Sequence, residues 1–195
     1  MTRWIFEPGH TAAEFRARHM MLPWVRGHFK DVHGSLEFDI DNPTTLSLEA
    51  VLEAGKLWTG DPQRDDHLRS SDFLDVGKHP TITFRSTASK CVGAADYEVA
   101  GDLTIRGVSR PVVLGMHYLG KWRTPYWTDA GDRGPVTRVG FVGAARINRH
   151  DFQVSWNTQL ENGGVVVSDE VVIKVDVEAL LESELTKALQ KGGVA

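Results

Sequence analysis

The run Leu46-Ser47-Leu48-Glu49-Ala50-Val51-Leu52-Glu53-Ala54 decides the fold class. Its even positions are all apolar, and Ser47, Glu49 and Glu53 stand between them. Successive side chains of a strand point to opposite faces, so this pattern is a strand with one face in a core and the other in water. The same period of two recurs on either side. Upstream it runs through Ala13, Phe15, Ala17 and His19, and again through Leu36, Phe38 and Ile40 within Gly34 to Ile40. Downstream it runs through Thr81 to Thr87, Tyr97 to Ile105, Val112 to Tyr118, Val139 to Ile147 and Val171 to Val177. Turn residues separate these runs: Asp41-Asn42-Pro43, Gly93, Arg106-Gly107, Gly131 to Pro135 and Asn162-Gly163-Gly164. Asn-Gly between apolar runs is a hairpin cue. The count comes to about eight strands, the size of a small barrel that either fills its interior with side chains or holds one ligand. The chain therefore reads as all-β, with residues 1–195 forming one domain.

Two stretches leave the pattern. Residues 61–76 are polar, and Asp61 followed by Pro62 is an N-cap with a first-turn proline, so short helical turns are expected there. Ser71 or Asp72 would cap a second turn. Residues 178–190 contain neither Gly nor Pro, and Leu181, Leu185, Ala188 and Leu189 form a helical stripe that Gly192 and Gly193 would end. Lys121 to Pro135 reads as a long loop carrying Trp122, Tyr126 and Trp127, placed either as a lid at a barrel mouth or against the outer wall.

Composition narrows the function. The formal net charge of −4 gives no basic footprint for nucleic acid and argues against broad electrostatic docking on an anionic membrane. The single cysteine, Cys91, makes neither an internal disulfide nor a thiolate metal site alone. No run approaches the ~20 apolar residues of a spanning helix, and the opening residues lack the apolar core of a secretory leader. These features predict no stable membrane insertion and a cytoplasmic protein. The eight histidines show no H-E-x-x-H spacing, and no G-x-S-x-G elbow occurs, so neither a metal, a cofactor nor a nucleophile is expected.

Five blocks in order resemble one known family. They are Phe6-Glu7-Pro8-Gly9-His10-Thr11 with Ala13 to His19; Val25-Arg26-Gly27-His28-Phe29 with Gly34-Ser35-Leu36; Arg64-Asp65-Asp66-His67-Leu68-Arg69-Ser70-Ser71-Asp72-Phe73-Leu74 with Pro80 to Thr87; Gly101-Asp102-Leu103-Thr104-Ile105-Arg106-Gly107-Val108; and Ile147-Asn148-Arg149-His150-Asp151-Phe152. Together they are similar to the YceI-like family over roughly Trp4 to Leu180. That resemblance implies an eight-stranded antiparallel, lipocalin-like barrel with an isoprenoid lipid in its lumen: a polyprenyl chain, an isoprenoid quinone or a polyprenyl diphosphate. Two positions depart from the family pattern. Gln153 stands where Gly usually follows Asp-Phe, and Ser168 stands where Gly commonly precedes Asp169-Glu170. Gln153 is expected to add a polar side chain beside Arg149 and to alter the head-group end of the pocket.

The candidate site follows. Phe15, Phe29, Phe38, Trp58, Phe84, Leu103, Phe141 and Trp156, with Leu68 and Phe73 from the 61–76 segment, either line a tunnel or simply fill the barrel. Small residues at alternating positions, Ala13, Ala17, Ala50, Ala54, Gly101, Gly143 and Ala145, favour open space. His19, Arg64, His67 and Arg149 are the candidates to grip a head group at the mouth. The competing reading makes them structural: Asp65 caps and Arg64 pairs within the loop, His19 is a satisfied core histidine, and Arg149 pairs with Asp151 on the surface. A carrier or sequestering protein that can pair as a homodimer through the C-terminal helix or an edge surface is the leading expectation. An enzyme acting on an apolar molecule and a stress-related interaction module with a filled core are the alternatives.

Overall fold

The computed structural model describes residues 2–42, 44–129, 131–161 and 163–190. Pro43, Asn162 and the helix stop at Gly192-Gly193, all singled out as turn or stop signals, lie outside the described residues.

Ten strands form one antiparallel sheet. They are β1 Arg3–Phe6, β2 Ala12–Arg18, β3 Trp24–Phe29, β4 His33–Phe38, β5 Leu46–Glu53, β6 Thr81–Cys91, β7 Asp96–Ile105, β8 Val108–Thr128, β9 Gly131–Asn148 and β10 Glu170–Leu181. The lateral order β1-β4-β5-β6-β7-β8-β9-β10 closes through β1–β10 pairing into a ring of eight, and β2–β3 is a hairpin added on β10. Helix α1 covers Pro62–Arg69 and helix α2 covers Glu182–Gln190.

The chain reaches this topology by splitting its first strand. Phe6 pairs with Ala179 and Ala12 pairs with Asp176, so the five residues 7–11 lie opposite only residues 177 and 178. Glu178 holds the excursion: its carbonyl accepts from the Glu7 amide (2.9 Å) and the Thr11 hydroxyl (3.1 Å), and its own amide donates back to Thr11 Oγ1 (3.3 Å). One edge of β10 thus serves β1 near Leu181 and β2 near Val172. The barrel is narrow at the first end. At the second end β2 and β3 widen it, and β3 meets the segment after β5 through the His28–Trp58 bridge.

The 121–135 loop expected from the sequence is instead paired strand. β8 and β9 continue as a long ribbon as far as Thr128↔Gly131, with register shifts at Tyr118/Gly120 and Pro125/Trp127. Those irregularities break the alternation on which the sequence reading relied, while aromatic residues are good strand formers. The aromatics form no lid. Trp122 and Trp127 are exposed on the ribbon, and Tyr126 packs under α2 with Val136, Leu180, Leu185 and Ala188. The C-terminal helix starts at Glu182 rather than residue 178, because residues 178–181 still pair with β1 and β9. Of the two expected helical turns after Asp61, one is an α-helix; residues 71–74 are turns.

Packing divides the interior. Trp4, Leu36, Phe38, Leu46, Tyr97 and Phe141 belong to a dense cluster at the narrow end, where Phe38 meets Phe141 edge-on at 5.2 Å and Trp4 Nε1 donates to the Phe38 carbonyl. Phe73, Leu103, Phe152 and Val154 anchor a second cluster at the wide end.

Helix α2 is fastened to β9 electrostatically. Glu184 accepts from the Thr137 amide (2.7 Å) and from Arg123 (3.0 Å). Partial burial alone would raise the Glu184 pKa, but the Thr137 hydrogen bond and Arg123 outweigh it and hold the carboxyl below its ordinary value of 4.5. A depressed carboxyl contributes stability above its unfolded pKa and loses it as pH falls through the folded one. Thermal melts between about pH 6 and about pH 3 should therefore show a smaller acid-induced fall in Tm for Glu184→Gln than for the parent protein. Equal slopes would show that this carboxylate does not hold the helix.

Candidate functional site

A cavity of about 230 Å³ lies between the two packed clusters. Its walls come from inward positions of the strands: Ala13, Phe15 and Ala17 of β2, Phe29 of β3, Leu48, Ala50 and Leu52 of β5, Phe84 of β6, Leu103 of β7, and Ile173 and Val175 of β10. Leu57, Leu68, Phe73 and Leu74 close it from the segment after β5. Among the described lining residues only Thr11, Glu14, Thr83 and Arg149 are polar. At about 24 cal/mol per Å³, leaving such a space empty costs the fold on the order of 5 kcal/mol, and an apolar cavity does not recover that cost by hydration.

The small residues divide into two kinds. Ala13, Ala17, Ala50 and Ala145 line the cavity and leave its space open. Ala54, Gly101 and Gly143 do not line it. A Cβ on Gly101 would sit 2.5 Å from the Phe84 ring, and one on Gly143 would sit 2.3 Å from Met116 sulfur, so these glycines make room for neighbouring side chains.

The motif at 64–74 acts as a latch. Asp61 caps α1 by accepting from the Arg64 amide (3.1 Å). Asp65, buried, accepts from the Thr59 amide (2.9 Å) and hydroxyl (2.6 Å), while Arg64 Nε donates to that hydroxyl (2.7 Å). Arg69 donates to the carbonyls of Gly55 and Leu57. The polar residues of the motif thus tie α1 to residues 55–59, and that tie presents Leu68, Phe73 and Leu74 to the lumen. Asp65 is structural but does not cap: Asp61 is the cap, and Asp65 lies within α1 and binds Thr59, where Arg64 also donates. His67 shares a hydrogen bond with Asp72 (3.0 Å) and stacks edge-on against Phe73 and Trp156, so it supports the wall from behind.

Arg149 needs the clearest correction. It was expected at the mouth, or paired with Asp151 on the surface. It is buried, and its guanidinium donates to four main-chain carbonyls: Ser168 (3.0 Å), Val154 (2.6 Å), Trp156 (2.9 Å) and Val167 (3.3 Å). Four of its five N–H donors are spent on pinning residues 154–168 across the wide end. Burial pushes its pKa below the ordinary arginine value, against the pull of Asp169.

Other expectations are redistributed. Phe15, Phe29, Leu68, Phe73, Phe84 and Leu103 line the cavity; Phe38 and Phe141 lie in the narrow-end cluster instead. Trp58 points outward against His28, because its neighbour Leu57 takes the inward position. Trp156 stands behind Phe73 (5.4 Å). His19 pairs with Val167 through its backbone and does not line the cavity. The sequence reading missed the aliphatic share of the wall, including Leu48, Leu52, Ile173 and Val175, although the phase of the alternation in β5 and β10 carried it. It also missed Glu7, His10 and Glu178, which come together outside the lumen with Arg138 bridging both carboxylates.

The Gln153 expectation is also corrected. Gln153 is exposed and caps a 3-10 turn, Arg149–Phe152, in the left-handed conformation (φ 59°). Its carbonyl accepts from Arg106 (2.8 Å), which also binds the carbonyls of Ser71 and Phe73. The position therefore favours glycine for its backbone, and Gln153 strains the cap without touching the cavity.

Two variants separate these roles. Arg149→Met should lose on the order of 3 kcal/mol in urea unfolding, because buried carbonyls lose a charged donor. A loss under about 1 kcal/mol would contradict the clamp. Gln153→Gly should gain about 1 kcal/mol by relieving the left-handed strain, visible as a Tm rise of about 2–4 °C.

The matches to known proteins agree with this geometry. The model of the YceI-like domain matches residues 4–179. A UPF0312 protein of Ectopseudomonas mendocina is 34% identical over 146 residues, covering 75% of this chain and 72% of the relative. Another from Pseudomonas paraeruginosa is 34% identical over 174 residues, covering 89% and 83%. Among solved structures, the Campylobacter jejuni YceI protein superposes with a TM-score of 0.67 at 26% identity over 84% of this chain and 88% of that one. A domain of Saccharophagus degradans described as polyisoprenoid binding shares the fold at a TM-score of 0.60 and 12% identity, covering 93% and 99%. A closed ring of eight strands around an apolar lumen, with these sequence matches, places the chain in the YceI-like family.

Proposed function

We propose that the protein binds a long apolar isoprenoid chain in its lumen and carries or sequesters it. The observation that carries this reading is a cavity whose polar wall groups are few and whose Thr11 and Arg149 are already hydrogen-bonded to the backbone. Such a wall selects by burial: about 4 kcal/mol per isoprene unit fully removed from water. The polyisoprenoid-binding description of the Saccharophagus degradans fold relative supports the same ligand class.

The wall also ranks the head groups. A diphosphate inside would need unpaired cations, and the one arginine among the described lining residues is committed to carbonyls. A neutral head group, as in an isoprenoid quinone or a polyprenol, fits this lining better. The enzyme reading gains little, since the described lining contains no His, Cys, Ser, Asp or Lys, and its one carboxylate, Glu14, is exposed.

Native mass spectrometry of the purified protein, followed by organic extraction, should find a stoichiometric neutral isoprenoid, or its uptake when added. The Ala13→Leu/Ala145→Leu variant fills the lumen. It should stay folded, with Tm unchanged or higher, and bind the lipid at least about tenfold more weakly. Uptake equal to that of the parent protein would show that the lipid sits elsewhere.

A further inference from the structure

We propose that the tip of the β2–β3 hairpin docks the protein on an anionic phospholipid surface. This goes beyond lipid binding in the lumen and rests on different residues.

The tip is chemically out of place for a turn in water. Met20 (φ 49°) and Met21 (φ 60°) occupy two successive left-handed positions, and the Leu22 amide closes the turn on the His19 carbonyl (2.9 Å). Positive φ at both central residues is the pattern of a type I′ turn, for which Asn-Gly is favoured. This chain places two methionines there, followed by Leu22 and Pro23, and all four residues are exposed; Leu22 is 72% accessible. The turn thus accepts both backbone strain and exposed apolar surface that a common dipeptide would remove. An observed strain of this kind points to function.

The flanks supply the complementary charge. On the outer face of the hairpin, Trp24 lies between the guanidinium groups of Arg16 (4.7 Å) and Arg18 (4.1 Å). Arg26 is exposed on the same face of β3, beside His28 and the exposed Trp58. None of Arg16, Arg18 and Arg26 forms an ion pair with a carboxylate among the described residues, although the described arginines 3, 69, 85, 123, 138 and 146 do. Glu14 is the acidic residue of this face, opposite His28 in register. Arg18 Nη1 also donates to the Leu22 carbonyl (2.6 Å) and so ties the charge to the tip. An apolar tip flanked by arginines without carboxylate partners and by amphipathic tryptophans matches a bilayer interface: methionine and leucine enter the acyl boundary, tryptophan sits at head-group level, and arginine meets phosphate. The overall charge of −4 does not oppose this, because surface potentials act within a Debye length of the patch.

The placement suits cargo exchange. The Met20 amide donates to the Val166 carbonyl (2.8 Å) and His19 pairs with Val167, a residue of the cavity wall. A docked hairpin brings the wide end of the barrel to the membrane.

Co-sedimentation tests this with vesicles of phosphatidylcholine alone and of phosphatidylcholine mixed with phosphatidylglycerol, neither containing an isoprenoid. The readout is independent of lumen binding, so either proposal can fail alone. The full chain should bind the anionic vesicles, lose that binding in high salt, and bind neutral vesicles far less. Met20→Asn/Met21→Gly should lower binding by about tenfold or more while the Tm stays equal or rises. Arg26→Glu should remove most of the preference for anionic vesicles. Equal binding to both vesicle types, no binding to either, or unchanged binding by the double variant would overturn the proposal. So would a self-associated species, seen by sedimentation equilibrium, that the double variant disperses without any vesicle binding; the tip would then belong to a second copy.

Discussion

The structure depends on one shared edge. β10 can pair with only one neighbour at each point along that side, and the five-residue excursion at Glu178 transfers it from β1 to β2. The narrow half can then close over large side chains, and the wide half takes in an additional hairpin. A uniform eight-stranded barrel of this size is just wide enough for side chains to fill it. Widening one half, and lining it with alanine where strands approach, leaves space that the other half lacks. The buried Thr11 satisfies both backbone groups of Glu178 where the pairing changes hands. Outside, Arg138 bridges the carboxylates of Glu7 and Glu178 that the excursion brings together.

The polar residues of these motifs are hydrogen-bonded mainly to the backbone around the lumen. Arg64, Asp65 and Arg69 hold α1 against residues 55–59, Arg106 ties residues 71–73 to the Gln153 cap, and Arg149 pins residues 154–168. The arginines donate to backbone carbonyls, and Asp65 accepts from the Thr59 amide and hydroxyl, groups that water would otherwise satisfy at the rim. Buried polar groups are expensive unless paired, so this arrangement lets a short helix and two loops cover a hydrophobic interior. It also explains how a chain with many charged residues in these segments still presents an apolar cavity.

The sequence made the fold class legible because period-two alternation survives wherever a strand has one buried face, as in Leu46 to Ala54. It failed where the ladder is irregular. The bulges near Tyr118 and Pro125 disguised the outer β8–β9 ribbon as a loop, and β1 is too short to show a period. For the site, the motif residues lie in segments that border the cavity, and the sequence leaves open whether their charged side chains grip a ligand or hold the backbone. Sequence shows that Arg149 ends an alternating run; it does not show that the chain returns at Val154, Trp156, Val167 and Ser168 to meet the guanidinium. Phe38 and Trp58 show the same limit. Whether an aromatic residue plugs, lines or faces outward depends on its height in the barrel and the phase of its segment. The left-handed backbone at Gln153 was likewise invisible, although the family preference for glycine was its signature.

The space between the two clusters is either a ligand site, as proposed, or a packing defect. Intermolecular NOEs between a bound long-chain polyprenol and methyl-labelled protein address it directly. A ligand site requires contacts from the prenyl methyls to Leu52, Leu68, Leu103 and Ile173, with the Leu36 and Leu46 methyls of the narrow end unaffected. Contacts confined to outer-face methyls such as those of Val113 and Leu119, or none while the lumen methyls keep their free-protein shifts, would contradict it.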